Sequence, residues 1–181
     1  MKLRLFVAVE IDETVRSLAR RAAESLADAG VVGRFELPEK MHVTVAFLGS
    51  VQQSDLPAVI EALREATAAC DSFCLEFARL GGFPNARRPR VLWIGPAQES
   101  AAFVDCAARV REGYERLGFR FEHDASPHIT LCRPKFVPKQ PLPELGARAT
   151  LKVEGLTLFQ SLPAGQTTRY EALERRKLGR P

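Results

Sequence analysis

A short pattern, His-apolar-Thr-apolar, occurs twice in this chain, once beginning at His42 and once at His128. Because side chains alternate along a β-strand, each copy places an imidazole and a hydroxyl on one face and two apolar side chains on the other. The apolar face can be anchored in a core while the polar face stays open. We therefore predict that each copy, called an HxT motif below, lies on a strand. A pseudo-twofold arrangement would bring the two strands together to form one site.

The remainder of the chain predicts an α+β fold. Apolar residues at helical spacing predict three helices, with end signals at Asp12, Gly30, Ser54, Pro57 and Gly118. Strands are predicted at residues 2–9, 33–37, 41–48, 72–80, 90–95, 119–122 and 127–132, with two more between 148 and 173. Turns are predicted at residues 81–84 and 162–165. Some neighbouring strands have no helix between them, which argues against a regular βαβ series.

The composition is that of a globular protein with a mild excess of positive charge. The 181 residues are 46% hydrophobic and 27% charged, and the net charge is +4. An anionic partner is compatible with this balance, but charge alone does not establish one. The first apolar run is interrupted by Arg4 and no stretch is long enough to span a membrane, so we expect a cytoplasmic protein without a signal peptide. The four cysteines form no CxxC pair and are predicted to be buried free thiols.

Two histidines suit phosphodiester chemistry because an imidazole titrates near neutrality, so one ring can accept a proton while the other donates one. The hydroxyls of Thr44 and Thr130 can then donate hydrogen bonds to the phosphate oxygens as their negative charge grows. Arg133 follows the second motif and could add a bidentate phosphate contact. Its odd offset from His128 points it to the opposite face of a regular strand. A bend before Pro134 is needed to bring it in, and the sequence leaves that open.

Other sites are less well supported by the sequence. His123, the third of only three histidines, has no Thr two positions on and is interpreted as a loop or strand-end residue. Two imidazoles with hydroxyls leave a zinc ion short of ligands, so we predict no metal and no cofactor. No glycine-flanked nucleophilic serine or glycine-rich phosphate loop occurs in the sequence. The basic loop at residues 86–90 is equally compatible with a solvated hairpin tip and with RNA contact, and Trp93 is interpreted as a core residue.

The chain resembles the two-histidine phosphoesterase superfamily, and within it the bacterial RNA 2′,3′-cyclic phosphodiesterases, formerly called 2′-5′ RNA ligases. The resemblance covers nearly the whole length, and paired HxT motifs in this flanking order are a specific signal. The matching segments are Leu5-Phe6-Val7-Ala8, His42 to Gly49, Gly82-Phe83-Pro84, Arg88 to Trp93, Leu117-Gly118-Phe119, Pro127 to Arg133 and Tyr170 to Leu173.

The resemblance implies a fold, an activity and a site. The fold is bilobal and pseudo-twofold, with two antiparallel sheets lining a central cleft and helices outside, and residues 1–181 form one domain of two interlocked lobes. The activity is metal-free hydrolysis of an RNA 2′,3′-cyclic phosphate to a 2′-phosphomonoester. By the same resemblance, His42 is the proton donor to the leaving 3′-oxygen and His128 is the proton acceptor that activates water. Thr44, Thr130 and Arg133 match phosphate-binding positions.

Three functions remain compatible with the sequence. The first is hydrolysis of cyclic phosphate ends, on RNA or on cyclic nucleotides. The second is ligation of such an end to a 5′-hydroxyl, which we rank as a side activity because water at about 55 M outcompetes a dilute RNA end. The third is a non-catalytic RNA- or nucleotide-binding module, against which two intact HxT motifs argue. No obligate protein partner and no membrane partner are predicted, and the natural RNA substrate is not specified by the sequence.

Overall fold

The computed structural model describes residues 1–165 and 167–179, and within this part of the chain it contains ten β-strands and three α-helices. The strands are β1 (Lys2–Glu10), β2 (Val32–Phe35), β3 (His42–Gln52), β4 (Phe73–Phe77), β5 (Arg79–Phe83), β6 (Val91–Gly95), β7 (Ile129–Phe136), β8 (Ala149–Val153), β9 (Gly155–Ala164) and β10 (Thr167–Lys177). The helices are α1 (Glu13–Asp28), α2 (Leu56–Ala68) and α3 (Ala101–Glu115).

Side-chain caps define where two of the helices begin. The Asp12 carboxylate accepts a hydrogen bond from the backbone N–H of Val15 at 2.8 Å, as predicted for the start of α1. The Ser100 hydroxyl accepts one from Phe103 at 3.3 Å at the start of α3. The first helix is followed by Gly30, whose φ of 89° is available to glycine at little cost.

Two antiparallel sheets form the framework. The larger has eight strands in the order β10-β9-β1-β3-β7-β6-β5, with β2 paired to β7, and the smaller consists of β4 and β8. Among the described residues β3 and β7 pair at one position, Val43 with Ile129. The large sheet therefore has two parts, one ending in β3 and the other containing β7, and each part carries one HxT motif. The predicted α+β fold with two antiparallel sheets is confirmed, although both motif strands belong to the same sheet.

One face of the large sheet is covered by helices. Val43 and Ile129 are fully buried, and they belong to one apolar cluster with the buried residues of all three helices. Because side chains alternate, the imidazoles and hydroxyls of the HxT motifs lie on the opposite face. No helix in the described part of the chain is long and apolar enough to cross a bilayer.

Several predictions about local structure are wrong. Residues 72–80 are not one strand, because they belong to β4 and β5, which lie in different sheets. Residues 119–122 are not a strand, because Phe119 packs against Tyr114 and Phe121 lies against the Arg111 guanidinium instead of pairing with another strand. The predicted turn at residues 81–84 is mostly β5, and a Cβ on Gly81 would collide with the Trp93 ring.

A further error concerns the region from 148 to 173, which was predicted to hold two strands. The region overlaps three strands, β8, β9 and β10. The additional strand is β8, which is not part of the large sheet and pairs with β4 over five residue pairs. The cysteine prediction is also partly wrong. All four thiols are free, but Cys74 is exposed on β4. Side chains alternate along β4, so Cys74 faces solvent while its neighbours Phe73 and Leu75 point into the interior.

Candidate active site

The two HxT motifs meet through the residues at their centres. The antiparallel pair of Val43 and Ile129 sets a register in which His42 faces Thr130 and Thr44 faces His128. An antiparallel pair has a local twofold axis, so the two motifs are related by that axis. The structure thus brings both imidazoles and both hydroxyls to one open face of the sheet.

Both imidazole rings are oriented by a backbone carbonyl two residues earlier. Nδ1 of His42 lies 2.6 Å from the Lys40 carbonyl oxygen, and Nδ1 of His128 lies 2.8 Å from that of Ser126. A carbonyl oxygen only accepts, so each Nδ1 carries a proton and donates it to the carbonyl. In a neutral ring Nε2 is then the basic atom, and it is the atom available for proton transfer.

The surroundings of the two histidines shift their pKa values in the same direction. Burial lowers the pKa of His42, while the Lys40 carbonyl and the Glu36 carboxylate oppose that shift and the charge of His128 adds to it. Burial also lowers the pKa of His128, against the effect of its backbone hydrogen bond, and the positive charge of Arg133 lowers it further. The rings are close enough that a charge on one disfavours a charge on the other.

A β-bulge brings Arg133 to the motif face. On β7, Thr130 and Cys132 both pair with residues of β6. Those two residues of β6 are adjacent to each other, so Leu131 has no partner on β6 and forms the bulge. Leu131 and Cys132 are both fully buried, and the alternation of faces is therefore shifted by one. Arg133 consequently lies exposed on the same side as His128 and Thr130. The bend that Arg133 needs in order to reach the motif face is therefore present, and it lies at Leu131.

The strand β3 contains the same irregularity at the same place. Val45 is the extra residue between the pairs that Thr44 and Ala46 make with β1, and Val45 and Ala46 are both buried. Phe47 therefore occupies the position on β3 that Arg133 occupies on β7. Its side chain is 68% exposed. Two equivalent positions beside the site thus carry an aromatic ring and a cation.

Aromatic rings surround His42. The Phe6 ring centroid is 5.0 Å from that of His42, and the Tyr170 ring meets the imidazole edge-on at 5.4 Å. Phe6 is the cross-strand partner of Phe47 on β1. Neither Phe6 nor Tyr170 was assigned to the site from the residues alone. The sequence indicates them only through the segments that resemble the family.

His128 has a matching pair of aromatic neighbours. The Phe83 ring meets it edge-on at 4.9 Å, and the Trp93 ring lies at 6.3 Å. Trp93 is 6% exposed, so its interpretation as a core residue is confirmed, but it also forms one wall next to the site. The Arg79 guanidinium lies 4.9 Å from the Trp93 ring centroid. The two histidines therefore have similar, largely apolar surroundings.

An ion pair beside His42 was not predicted. Glu10 is the cross-strand partner of His42 on β1. Its carboxylate accepts hydrogen bonds from the Thr157 hydroxyl at 2.6 Å and from Nε of Arg175 at 2.8 Å. The Arg175 hydrogen bond is the largest cause of the lowered pKa of Glu10, and the net effect outweighs the cost of burial. These partners are distant in sequence, so no local pattern indicates them.

Two further features of the sequence were His123 and the basic loop. His123 is exposed in a loop, as predicted, and its carbonyl oxygen accepts a hydrogen bond from Arg111. The basic loop at residues 86–90 is exposed at Arg87 and Arg88, whose backbone N–H groups donate to the Asn85 side chain. In the described residues no group of three or more His, Cys, Asp or Glu side chains is arranged to hold a metal ion.

Comparison with known protein families identifies the chain. The family model described as LigT like phosphoesterase matches residues 5–93 and again residues 94–170, so that each match contains one HxT motif. The chain belongs to the LigT-like phosphoesterase family. The resemblance inferred from the motifs is therefore confirmed.

Relatives within this LigT-like family match over most of their length. The chain is 37% identical to the RNA 2′,3′-cyclic phosphodiesterase of Archaeoglobus fulgidus over 133 residues, which are 74% of this chain and 73% of that protein. Its fold is similar to that of TT0787 of Thermus thermophilus, with a TM-score of 0.86, 27% identity and coverage of 98% and 99%. E. coli LigT in complex with 3′-AMP is also similar, with a TM-score of 0.83, 26% identity and coverage of 98% and 99%.

Proposed function

We propose that this chain hydrolyses 2′,3′-cyclic phosphate ends of RNA to 2′-phosphomonoesters, with His42 and His128 as a metal-free acid–base pair. The observation that carries the proposal is the pairing of Val43 with Ile129, because it unites both HxT motifs on one open face. The substrate class is supported by the name of the Archaeoglobus fulgidus relative, an RNA 2′,3′-cyclic phosphodiesterase. A nucleotide ligand is supported by the E. coli neighbour, which was crystallised with 3′-AMP.

The reaction follows from one neutral and one protonated imidazole. Nε2 of His128 takes a proton from water, and the water oxygen forms a bond to phosphorus. The bond between phosphorus and the 3′-oxygen breaks, and Nε2 of His42 gives its proton to that oxygen. The product carries a 2′-phosphate and a 3′-hydroxyl, and the proton on His128 returns to His42 through solvent. Thr44, Thr130 and Arg133 donate hydrogen bonds to the phosphoryl oxygens as their charge grows.

The division of roles is supported by the charges next to each ring. The Glu36 carboxylate favours the protonated form of His42, although burial has the larger and opposite effect on its pKa. Arg133 adds to the effect of burial in favouring the neutral form of His128. A donor needs to be protonated before the reaction and an acceptor needs to be neutral. Glu36 and Arg133 therefore favour His42 as donor and His128 as acceptor.

The test is turnover of a cyclic-ended oligonucleotide in EDTA, with the 2′- and 3′-phosphate products separated. We expect activity without added metal, because the site offers imidazoles and hydroxyls in place of carboxylates or thiolates. Activity that is lost on chelation and restored by one divalent ion would overturn the metal-free mechanism. A 3′-phosphate product would mean that the 2′-oxygen leaves and would overturn the proposed leaving group. Binding without any turnover would favour a non-catalytic RNA-binding module.

The same residues would also catalyse the reverse reaction with exchanged roles, in which a 5′-hydroxyl attacks the cyclic phosphate. We propose that ligation is weak, because water at about 55 M competes with the hydroxyl unless the site positions it well. A cytoplasmic location and the absence of an obligate protein partner stay predictions from the sequence.

A further inference from the structure

Two arginines face each other next to the site. Arg34 on β2 is the antiparallel partner of Arg133 on β7, and both side chains are exposed. Residues in such a pair lie on the same face of the sheet, with their Cβ atoms about 4.5–5.5 Å apart. Like charges placed directly opposite each other destabilise a sheet. The pair therefore has a cost that the fold alone does not explain.

No carboxylate in residues 1–165 or 167–179 forms a salt bridge with Arg34 or Arg133, and neither guanidinium donates a hydrogen bond within that part of the chain. The exposed arginine at the other side of the site is different, since Arg175 binds Glu10 at 2.8 Å. The acidic group nearest in sequence is Glu36, whose charge acts on His42. Two uncompensated cations at one place indicate an anionic ligand.

The position of the pair indicates which anion it binds. Arg133 is close enough to His128 to lower its pKa, in addition to the effect of burial, and so lies beside the scissile phosphate of the proposed reaction. The strand β2 pairs with β7 at residues 132–136, beyond the point where β3 contacts β7. Arg34 lies opposite Arg133 on β2, and of these two arginines only Arg133 contributes to the pKa shift of a site histidine. The scissile phosphate has two non-bridging oxygens, and the two threonines and Arg133 already supply donors for them.

We propose that Arg34 binds the phosphate that precedes the cyclic end of an RNA chain, and that it makes the protein prefer cyclic-ended oligonucleotides to cyclic mononucleotides. This inference rests on the proposed function. An RNA chain whose end lies at His42 and His128 would pass over Arg133 to Arg34, and each guanidinium would hold one phosphate bidentately. A cyclic mononucleotide has no second phosphate for Arg34 to bind.

The test compares Arg34→Ala and Arg34→Lys on a 2′,3′-cyclic mononucleotide and on a cyclic-ended trinucleotide. On the trinucleotide, Arg34→Ala should lower kcat/KM by about 10–100-fold, because the variant loses a hydrogen-bonded contact to a charged phosphate. The effect should be mainly on KM, because this contact stabilises the bound substrate and the transition state equally. Arg34→Lys should recover part of that loss. On the mononucleotide, the change should be less than about twofold. The slope of log kcat/KM against log salt should weaken by about 0.7 for the trinucleotide alone.

Arg21→Ala is a matched control, because Arg21 is an exposed arginine on α1, on the helix-covered side of the sheet. It should change neither substrate's kcat/KM. Thermal unfolding of Arg34→Ala should occur at the same or a higher temperature, since a repulsive pair has been removed, and this excludes misfolding as the cause of a loss. Equal losses on both substrates, or no loss on the trinucleotide, would overturn the inference.

Equilibrium binding separates this inference from the proposed function. The probes are a trinucleotide that ends in a 2′-phosphate and the corresponding 2′-mononucleotide, neither of which needs to react. Weaker binding of the trinucleotide alone to Arg34→Ala supports the inference even if the wild-type protein turns over no cyclic phosphate. Unchanged binding of the trinucleotide overturns it even if hydrolysis is observed.

Discussion

The two halves of the site share most of their construction but differ at the position after the bulge. In each half the histidine Nδ1 binds the carbonyl oxygen two residues earlier, two aromatic rings flank the imidazole, and a bulge follows the threonine. After the bulge, β3 presents Phe47 and β7 presents Arg133. The similarity supplies two equivalent imidazoles, and the difference gives them unequal electrostatic surroundings. This difference, together with the Glu36 carboxylate that acts on His42, is the basis of the donor and acceptor roles proposed above.

A second difference lies at the threonines. Nε2 of His42 is 3.1 Å from the Thr44 hydroxyl. In the described part of the chain no corresponding hydrogen bond joins His128 to Thr130, so the second imidazole is free to meet a water molecule. This is consistent with the proposed roles, because the proton acceptor must bind the attacking water while the donor waits for the leaving oxygen.

The largest expected loss of kcat comes from replacing either histidine, which is the group that both halves of the site share. His42→Ala and His128→Ala should each lower kcat by about 10²–10⁴-fold, because each removes one general acid or base. Steady-state kinetics on a cyclic-ended oligonucleotide measures this. His123→Ala, which changes the exposed loop histidine, should retain the wild-type kcat. Near-normal kcat in either of the first two variants would exclude that histidine from catalysis.

The next largest effect is expected on kcat/KM when Arg133 is replaced, because the two halves of the site differ at this position. Arg133→Ala should lower kcat/KM by about 10–100-fold, and Arg133→Lys should recover only part, because lysine keeps the charge but loses the two-pronged contact. The salt dependence of kcat/KM should weaken in Arg133→Ala. Phe47→Ala, at the equivalent position on β3, should leave that salt dependence unchanged. A wild-type rate for Arg133→Ala would show that the bulge brings this residue to the face without a role in phosphate binding.

The pH dependence of kcat/KM also depends on the unequal charges beside the two histidines. We expect a bell-shaped profile with limbs of about tenfold per pH unit, and an optimum below about pH 6.5 because burial lowers both histidine pKa values. Arg133→Ala removes a charge that lowers the pKa of His128, so the acidic limb should move to higher pH. Glu36→Gln removes a charge that raises the pKa of His42, so the alkaline limb should move to lower pH. Movement of the opposite limbs would reverse the donor and acceptor.

The smallest expected effect concerns the hydroxyls. Thr44→Val and Thr130→Val remove one neutral hydrogen-bond donor each at nearly constant shape, so each should lower kcat/KM by about 2–10-fold. Thr44→Val should be the slower of the two, because it also removes the partner of His42 Nε2. Equal rates for both variants would mean that this hydrogen bond has no part in positioning the donor.

The sequence predicted the elements that depend on local patterns and missed those that depend on distant partners. The HxT strands, the cap at Asp12 and the three helices follow from alternation and periodicity within a few residues. The bulge at Leu131 does not, because only the register against β6 reveals an extra residue, and the sequence therefore left Arg133 unresolved. Arg34 and Glu10 were missed for the same reason, since their neighbours Arg133 and Arg175 are brought to them by pairing between distant strands.

The central claim is that both HxT motifs form one catalytic unit, and a double-mutant cycle on His42 and His128 tests it most directly. Groups that act together in one step lose activity non-additively, because the second deletion removes a contribution that the first has already made useless. We predict that His42→Ala/His128→Ala is no more than about threefold slower than the slower single variant. Losses that multiply, so that the double variant falls by the product of the two single effects, would contradict the claim and indicate two independent contributions.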